Sequence, residues 1–287
     1  MKESRPSFTA AWVAACRGVG GMLPPESRLV DDPFGLRFAG PVTAGVMQTV
    51  ARVPALISRM PAVLWLQIRT RVLDDVLRDF VAAGGRQVLI LGAGFDCRAA
   101  RFAGELHAST VFEVDHPATQ ARKKRILDEA GARQARTEYL AWDFEREPMS
   151  LLPERLAAHG HRREQPTLTI WEGVSVYLST AAVEATVAAV RALSAPGSTL
   201  AITYFDRAHV LAPPIRSRLL RRFLASVGEP FRFGWEPTEL SRWLDERGFA
   251  LVSDRTDLQL AARLMPEAGH HLRDGGFRHI AVATRSG

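Results

Sequence analysis

Two cysteines, three lysines and no long apolar run mark a chain of 287 residues, and each scarcity excludes something. Cys16 and Cys97 alone make neither a disulfide framework nor a metal-ligand spacing, so a reducing cytoplasm is the expected setting. No stretch approaches the ~20 apolar residues of a membrane span, so no membrane is expected among the partners. The apolar stretch Phe8–Cys16, behind Lys2 and Arg5, reads as an amphipathic helix rather than a leader, because it is short and runs straight into Arg17 and a glycine cluster. The net charge of +6 rests almost wholly on thirty-four arginines spread from end to end, an even spread that argues against a nucleic-acid partner. The one basic run, Arg122 to Arg125, reads as a solvated helix face. Repeats and low-complexity tracts are absent, and the question of a homo-oligomer is left open.

What is present is an alternation. Helical patterns cover Thr9–Arg17, Pro33–Arg37, Ala44–Arg59 and Ala62–Ala82, the last with apolar residues at helical spacing before Gly84 and Gly85. Strands are predicted at Val88–Leu91, Thr110–Val114, Thr137–Ala141, Thr167–Trp171 and Leu200–Tyr204. Helices are predicted between several of them, including Arg98–Glu105, Pro117–Ala130 and Thr180–Leu193. A helix at Pro237–Arg247 precedes two last strands, Phe249–Ser253 and His279–Ala283, with no crossover helix expected between them. The pattern predicts an α/β fold: a mostly parallel seven-stranded sheet with an antiparallel edge hairpin at the C-terminus and helices on both faces. Residues 83–206 and 235–287 would form the core, 1–82 a helical cap and 207–234 a cap insertion after the fifth strand, all within one domain.

The first strand stops at Gly92-Ala93-Gly94, a turn where missing Cβ atoms let backbone approach a ligand. The second ends in Glu113 and Asp115, and Asp115 lies where a second-strand carboxylate meets ribose hydroxyls in Rossmann-type sites. The pair predicts an adenosine-containing cofactor. A dinucleotide site wants a third glycine where Cys97 stands, and a pyrophosphate would be repelled by Asp96. The ammonium and sulfonium of S-adenosylmethionine suit that acid instead. Asp143, beside Phe144 after the third strand, and Glu172, after the fourth, add two more acids at successive strand ends.

The blocks GAGFDCR, FEVDHP, Asp143-Phe144 and EGVSVYL, taken together, resemble the leucine carboxyl methyltransferase family over about residues 11 to 249. The resemblance implies a Rossmann-like class I methyltransferase fold and an S-adenosylmethionine-dependent O-methyltransferase. It implies that Gly92 and Gly94 pass beside the ligand, Asp115 holds the ribose, Asp143 and Phe144 the adenine, and Glu172 the methionine amino end. Arg69, in Ile68-Arg69-Thr70-Arg71, matches the family arginine that grips the methionine carboxylate; Arg17 falls near a second basic residue used around it. Val30-Asp31-Asp32-Pro33 matches an acid-proline turn taken as architectural.

The acceptor is less legible. A carboxylate needs cations to aim it, and Arg207, Arg216, Arg218, Arg221 and Arg222 qualify. A hydroxyl wants a base, for which His209 is nearest, while Tyr177 and Tyr204 stand at strand ends where either positions an acceptor. A small-molecule acceptor is the preferred expectation. Three alternatives stay open: an NAD(P)-dependent oxidoreductase, a protein C-terminal carboxyl methyltransferase, and a non-catalytic S-adenosylmethionine-binding protein.

Overall fold

The computed structural model describes residues 7–57, 59–144, 146–214, 222, 225–226, 228–272 and 275–287. Seven strands form one sheet: β1 (Gln87–Leu91), β2 (Thr110–Asp115), β3 (Arg136–Ala141), β4 (Thr167–Trp171), β5 (Thr199–Phe205), β6 (Phe249–Thr256) and β7 (Arg278–Arg285). Their order is β3-β2-β1-β4-β5-β7-β6, with the first five parallel and β7 antiparallel to both its neighbours.

Why these residues make strands is visible in their two faces. Val88 and Ile90 of β1 pack into one apolar cluster with the long helix Pro61–Ala82. Leu89 and Leu91 pack into a second cluster with the helices Leu152–Ala158, Thr180–Leu193 and Pro237–Asp245. A strand buried on both faces has no reason to alternate polar and apolar residues, which is why β1 and β4 are apolar or Thr nearly throughout.

The strand order reverses between β1 and β4: the chain runs outward from β1 through β2 to β3, then crosses back to β4 beside β1 and outward again to β5. In open α/β sheets that switch point opens a crevice at the carboxyl ends of the strands. The register brings those ends level: Leu91 pairs with Val114, Asp115 with Ala141, and Trp171 with Ile202. The N-terminal helix Phe8–Gly18 and the long helix reach the crevice with Ala10, Val13, Arg17, Trp65 and Arg69, and the helices Gly35–Phe38 and Pro41–Ala51 pack against the N-terminal helix.

Several elements depart from expectation. The helix expected over Arg98–Glu105 closes at Arg101, and the one expected over Ala44–Arg59 is divided into Pro41–Ala51 and Pro54–Ile57. A short helix, Arg207–Leu211, follows β5. A helix, Leu152–Ala158, precedes β4 where the sequence reading left a gap; its opening Leu-Pro reads as a turn, yet proline is at home in a first helical turn. The last two strands do pair antiparallel, but a helix, Asp257–Leu264, stands between them, so the connection is no tight hairpin. The Arg122–Arg125 run also differs from a plain solvated face. Lys123 is buried and pairs with Glu113 at 2.5 Å, while Arg122 donates to the Phe38 carbonyl at 2.7 Å. No helix among the described residues is long and apolar enough to cross a membrane.

Candidate functional site

The crevice is a cavity of about 450 Å³, within the size range of small-ligand sites. Its floor is the glycine turn. Gly92 and Gly94 have φ of +65° and +49°, conformations that favour glycine, and a Cβ on Gly92 would collide with the Val174 side chain. A Cβ on Gly94 would stand 3.3 Å from that of Ala10, so the turn, Ala93 included, runs close beneath the N-terminal helix.

Asp115 ends β2 at the cavity wall. Its carboxylate accepts from the backbone N–H of Gly94 at 2.5 Å and of His116 at 2.6 Å. Burial raises its pKa against the pull of those two donors. Asp143 and Phe144 line the cavity beyond β3, beside Trp142, whose indole N–H is buried without a partner among the described residues.

At the opposite end lies a network of buried charges. Glu172 offers one oxygen to Arg69 Nε and the other to Arg98 Nη1, each at 2.7 Å. Burial alone would raise the Glu172 pKa, but Arg69, Arg98 and Arg17 outweigh it and hold it at about 2. Arg98 also pairs with Asp74 at 2.9 Å and with Asp96, while Arg101 pairs with Asp74. Burial likewise opposes ionisation of Asp96, and Arg98 and Lys123 reverse it, so its pKa falls. Arg17 donates to Asp32 at 3.0 Å and to the Phe95 carbonyl at 2.5 Å, and Asp32 accepts from the N–H groups of Phe34 and Gly35. The Asp32 turn thus anchors Arg17 from behind.

Of the residues expected at the cofactor, Arg17, Arg69, Gly92, Ala93, Gly94, Asp96, Asp115, Asp143, Phe144 and Glu172 all line the cavity. Glu113 does not. It shares a face of β2 with Asp115 but sits two residues back along the strand, about 7 Å deeper, where it is fully buried against Lys123. Nothing in an arginine-rich sequence sets Arg98 apart. The helpful signal was the Asp96-Cys97-Arg98 order, an acid and a base straddling a helix start.

The acceptor candidates divide. Tyr177 lines the cavity, and burial pushes its pKa up to about 12 although Thr9 bonds its hydroxyl. The Tyr204 ring lines the cavity, but its hydroxyl donates to Asp254 at 2.6 Å and lies 3.1 Å from His279 Nδ1. His209 is not on the cavity wall; its ring stacks on Phe277 at 3.5 Å, which corrects its expected place as a base. Arg207 turns outward to Glu239, Arg222 is exposed, and Arg216, Arg218 and Arg221 lie outside the described residues. Among the described residues no cluster of His, Cys, Asp and Glu is arranged to hold a metal.

Residues 10–191 match the sequence model of the family described as leucine carboxyl methyltransferase. A protein of Frankia alni, provisionally named an S-adenosyl-L-methionine-dependent methyltransferase, is 38% identical over 63% of this chain and 63% of its own length. Another of that provisional name, from Mycobacteroides abscessus, is 32% identical over 83% of this chain and 76% of its own. Among solved structures, one provisionally named a methyltransferase, from Thermobifida fusca, superimposes over 100% of this chain and 97% of its own. Its TM-score is 0.61 at 18% identity, a likeness of fold.

Proposed function

The chain belongs to the leucine carboxyl methyltransferase family, and on that premise we propose that it moves the methyl group of S-adenosylmethionine to an oxygen of a small molecule. The observation that carries this reading is the Arg69–Glu172 pair on the cavity wall, across from Asp115 and the glycine turn. The donor's amino-acid end is a zwitterion. A guanidinium and a carboxylate already facing one another offer it both complements, Arg69 for the carboxylate and Glu172 for the ammonium. Asp115 would accept from the ribose hydroxyls. Asp143 and Phe144 would flank the adenine. These residue types fit the donor; a pyrophosphate at the glycine turn would meet the carboxylates of Asp96 and Asp115.

Bound there, the donor supplies a sulfonium-activated methyl carbon. The chain's own part is to exclude water and hold the acceptor oxygen in line with that carbon. None of the three side chains expected to handle the acceptor is a ready base: Tyr177 ionises only near pH 12, the Tyr204 hydroxyl is given to Asp254, and His209 is stacked away from the cavity. That arrangement favours a carboxylate, already ionised at neutral pH, over a hydroxyl that must lose a proton. A cavity of about 450 Å³ that takes donor and acceptor together favours a small molecule over a folded protein.

Calorimetry with S-adenosylmethionine, S-adenosylhomocysteine and NADH tests the reading. Both sulfur ligands are expected to bind; NADH binding in their place points to an oxidoreductase and overturns it. Assays for S-adenosylhomocysteine release against panels of acids and phenols then test the acceptor. Donor binding with no turnover on either panel points to a non-catalytic binder.

A further inference from the structure

We propose that Arg98 is a positioning residue for the methyl donor: as the permanent counterion of Glu172, it frees Arg69 to leave Glu172 for the donor's carboxylate. The proposal rests on the reading of the cavity as an S-adenosylmethionine site.

The two arginines on Glu172 are not equivalent. Arg69 reaches Glu172 Oε1 through Nε, lines the cavity, and has no other ion pair among the described residues. Arg98 reaches Oε2 from beneath, is only 2% exposed and does not line the cavity. Asp74 and Asp96 hold it in place, and its own backbone N–H donates to Asp96 at 2.7 Å. Arg69 is therefore built to exchange partners and Arg98 to stay.

The exchange needs both. A buried carboxylate stripped of its only cation is strongly unfavourable, so an Arg69–Glu172 pair standing alone would resist opening for a ligand. With Arg98 fixed on Oε2, Glu172 keeps one counterion while Arg69 swings to the donor's carboxylate. The ammonium then takes the vacated Oε1. Every buried charge has an opposite neighbour before and after binding, and no proton moves. The low pKa of Glu172 accords with this, since it must be ionised in both states. Arg98 touches neither ligand nor reacting atoms. Its effect is carried wholly by Glu172 and Asp96.

The test compares two ligands by calorimetry. S-adenosylhomocysteine carries the amino-acid end; 5′-methylthioadenosine shares the adenosine and the sulfur but lacks it. Arg98→Met is expected to weaken S-adenosylhomocysteine by about 30-fold or more and methylthioadenosine by less than about threefold. Arg98→Lys, which returns a cation, should recover part of the loss. Unchanged homocysteine-ligand affinity in Arg98→Met overturns the proposal, as does an equal loss of both ligands, which is the mark of a merely structural role. If Arg98→Met does not fold, Arg98→Lys alone decides. A selective loss of S-adenosylhomocysteine supports the proposal, and an equal loss or none overturns it. Failure of the wild-type protein to bind S-adenosylhomocysteine at all would instead sink the reading of the cavity.

Discussion

At the scale of single residues, Asp115 does two things with one carboxylate. It fixes the glycine turn by accepting from Gly94 and His116, and under the proposed reading its lone pairs at the cavity wall would accept from a ribose. Asp115→Ala removes both, leaving the Gly94 N–H without its acceptor. We expect affinity for S-adenosylhomocysteine and methylthioadenosine alike to drop by about 10-fold or more, because both ligands carry the ribose. Arg69→Ala should weaken only the former. Calorimetry on the two variants checks the contrast, and an Asp115→Ala protein that binds methylthioadenosine normally would remove Asp115 from the site. Asp115 and Glu172 are readable because each stands at the end of a buried strand, a position where an acid needs a reason. Glu113 shows the limit: alternation places 113 and 115 on one face and is silent about depth. Arg98 shows another, since which of thirty-four arginines turns inward is decided by packing partners far away in sequence.

At the scale of elements, the N-terminal helix is held over the cavity from a distance. Helix starts leave backbone N–H groups without intrahelical acceptors. Here Ser7 caps Ala10, while the Thr9 N–H donates at 3.1 Å to Glu229, more than two hundred residues onward. Ser7 Oγ donates to the same carboxylate at 2.7 Å, Thr9 Oγ1 does so too, and Glu229 is 6% exposed. Glu229→Ala should therefore loosen this roof first. Amide exchange in residues 8–18 is expected to accelerate about 10-fold or more, with exchange in β1 and β4 unchanged. Uniform acceleration, or none, would show that Glu229 is no latch. Most elements were legible from periodicity, and Thr180–Leu193 has the bounds its pattern predicts, capped by Ser179. The helix Asp257–Leu264 was missed although its signal is local. Thr256 and Gln259 form a reciprocal capping box, a Thr-x-x-Gln pattern visible in the sequence but outweighed by the expectation of a hairpin. The Glu229 latch had no such signal, being a contact between chain segments that only the fold brings together.

At the scale of the whole molecule, the buried ionisable groups set how stability varies with pH, and they pull in opposite directions. Glu172 falls from the ordinary 4.5 to about 2, so its contribution is full above about 4.5 and is lost as pH falls towards 2. His161, whose pKa burial lowers from 6.5 to about 4, likewise favours the fold above 6.5 and disfavours it as pH falls towards 4. Glu113 runs the other way. Burial outweighs Lys123 and raises its pKa from 4.5 to about 7, so the native state holds a proton that the unfolded chain has released. Its contribution is full below about 4.5 and is lost as pH rises through 7. Glu113→Gln keeps the side chain's size and an acceptor for Lys123 while deleting that titration. The variant should match the wild type near pH 4.5 and gain on it steadily, by on the order of 3 kcal/mol near pH 7.5. Urea unfolding of both proteins across that range measures the gap directly. A gap that stays constant with pH would mean that Glu113 titrates alike in the folded and unfolded chain, and that its burial against Lys123 leaves its proton affinity unchanged.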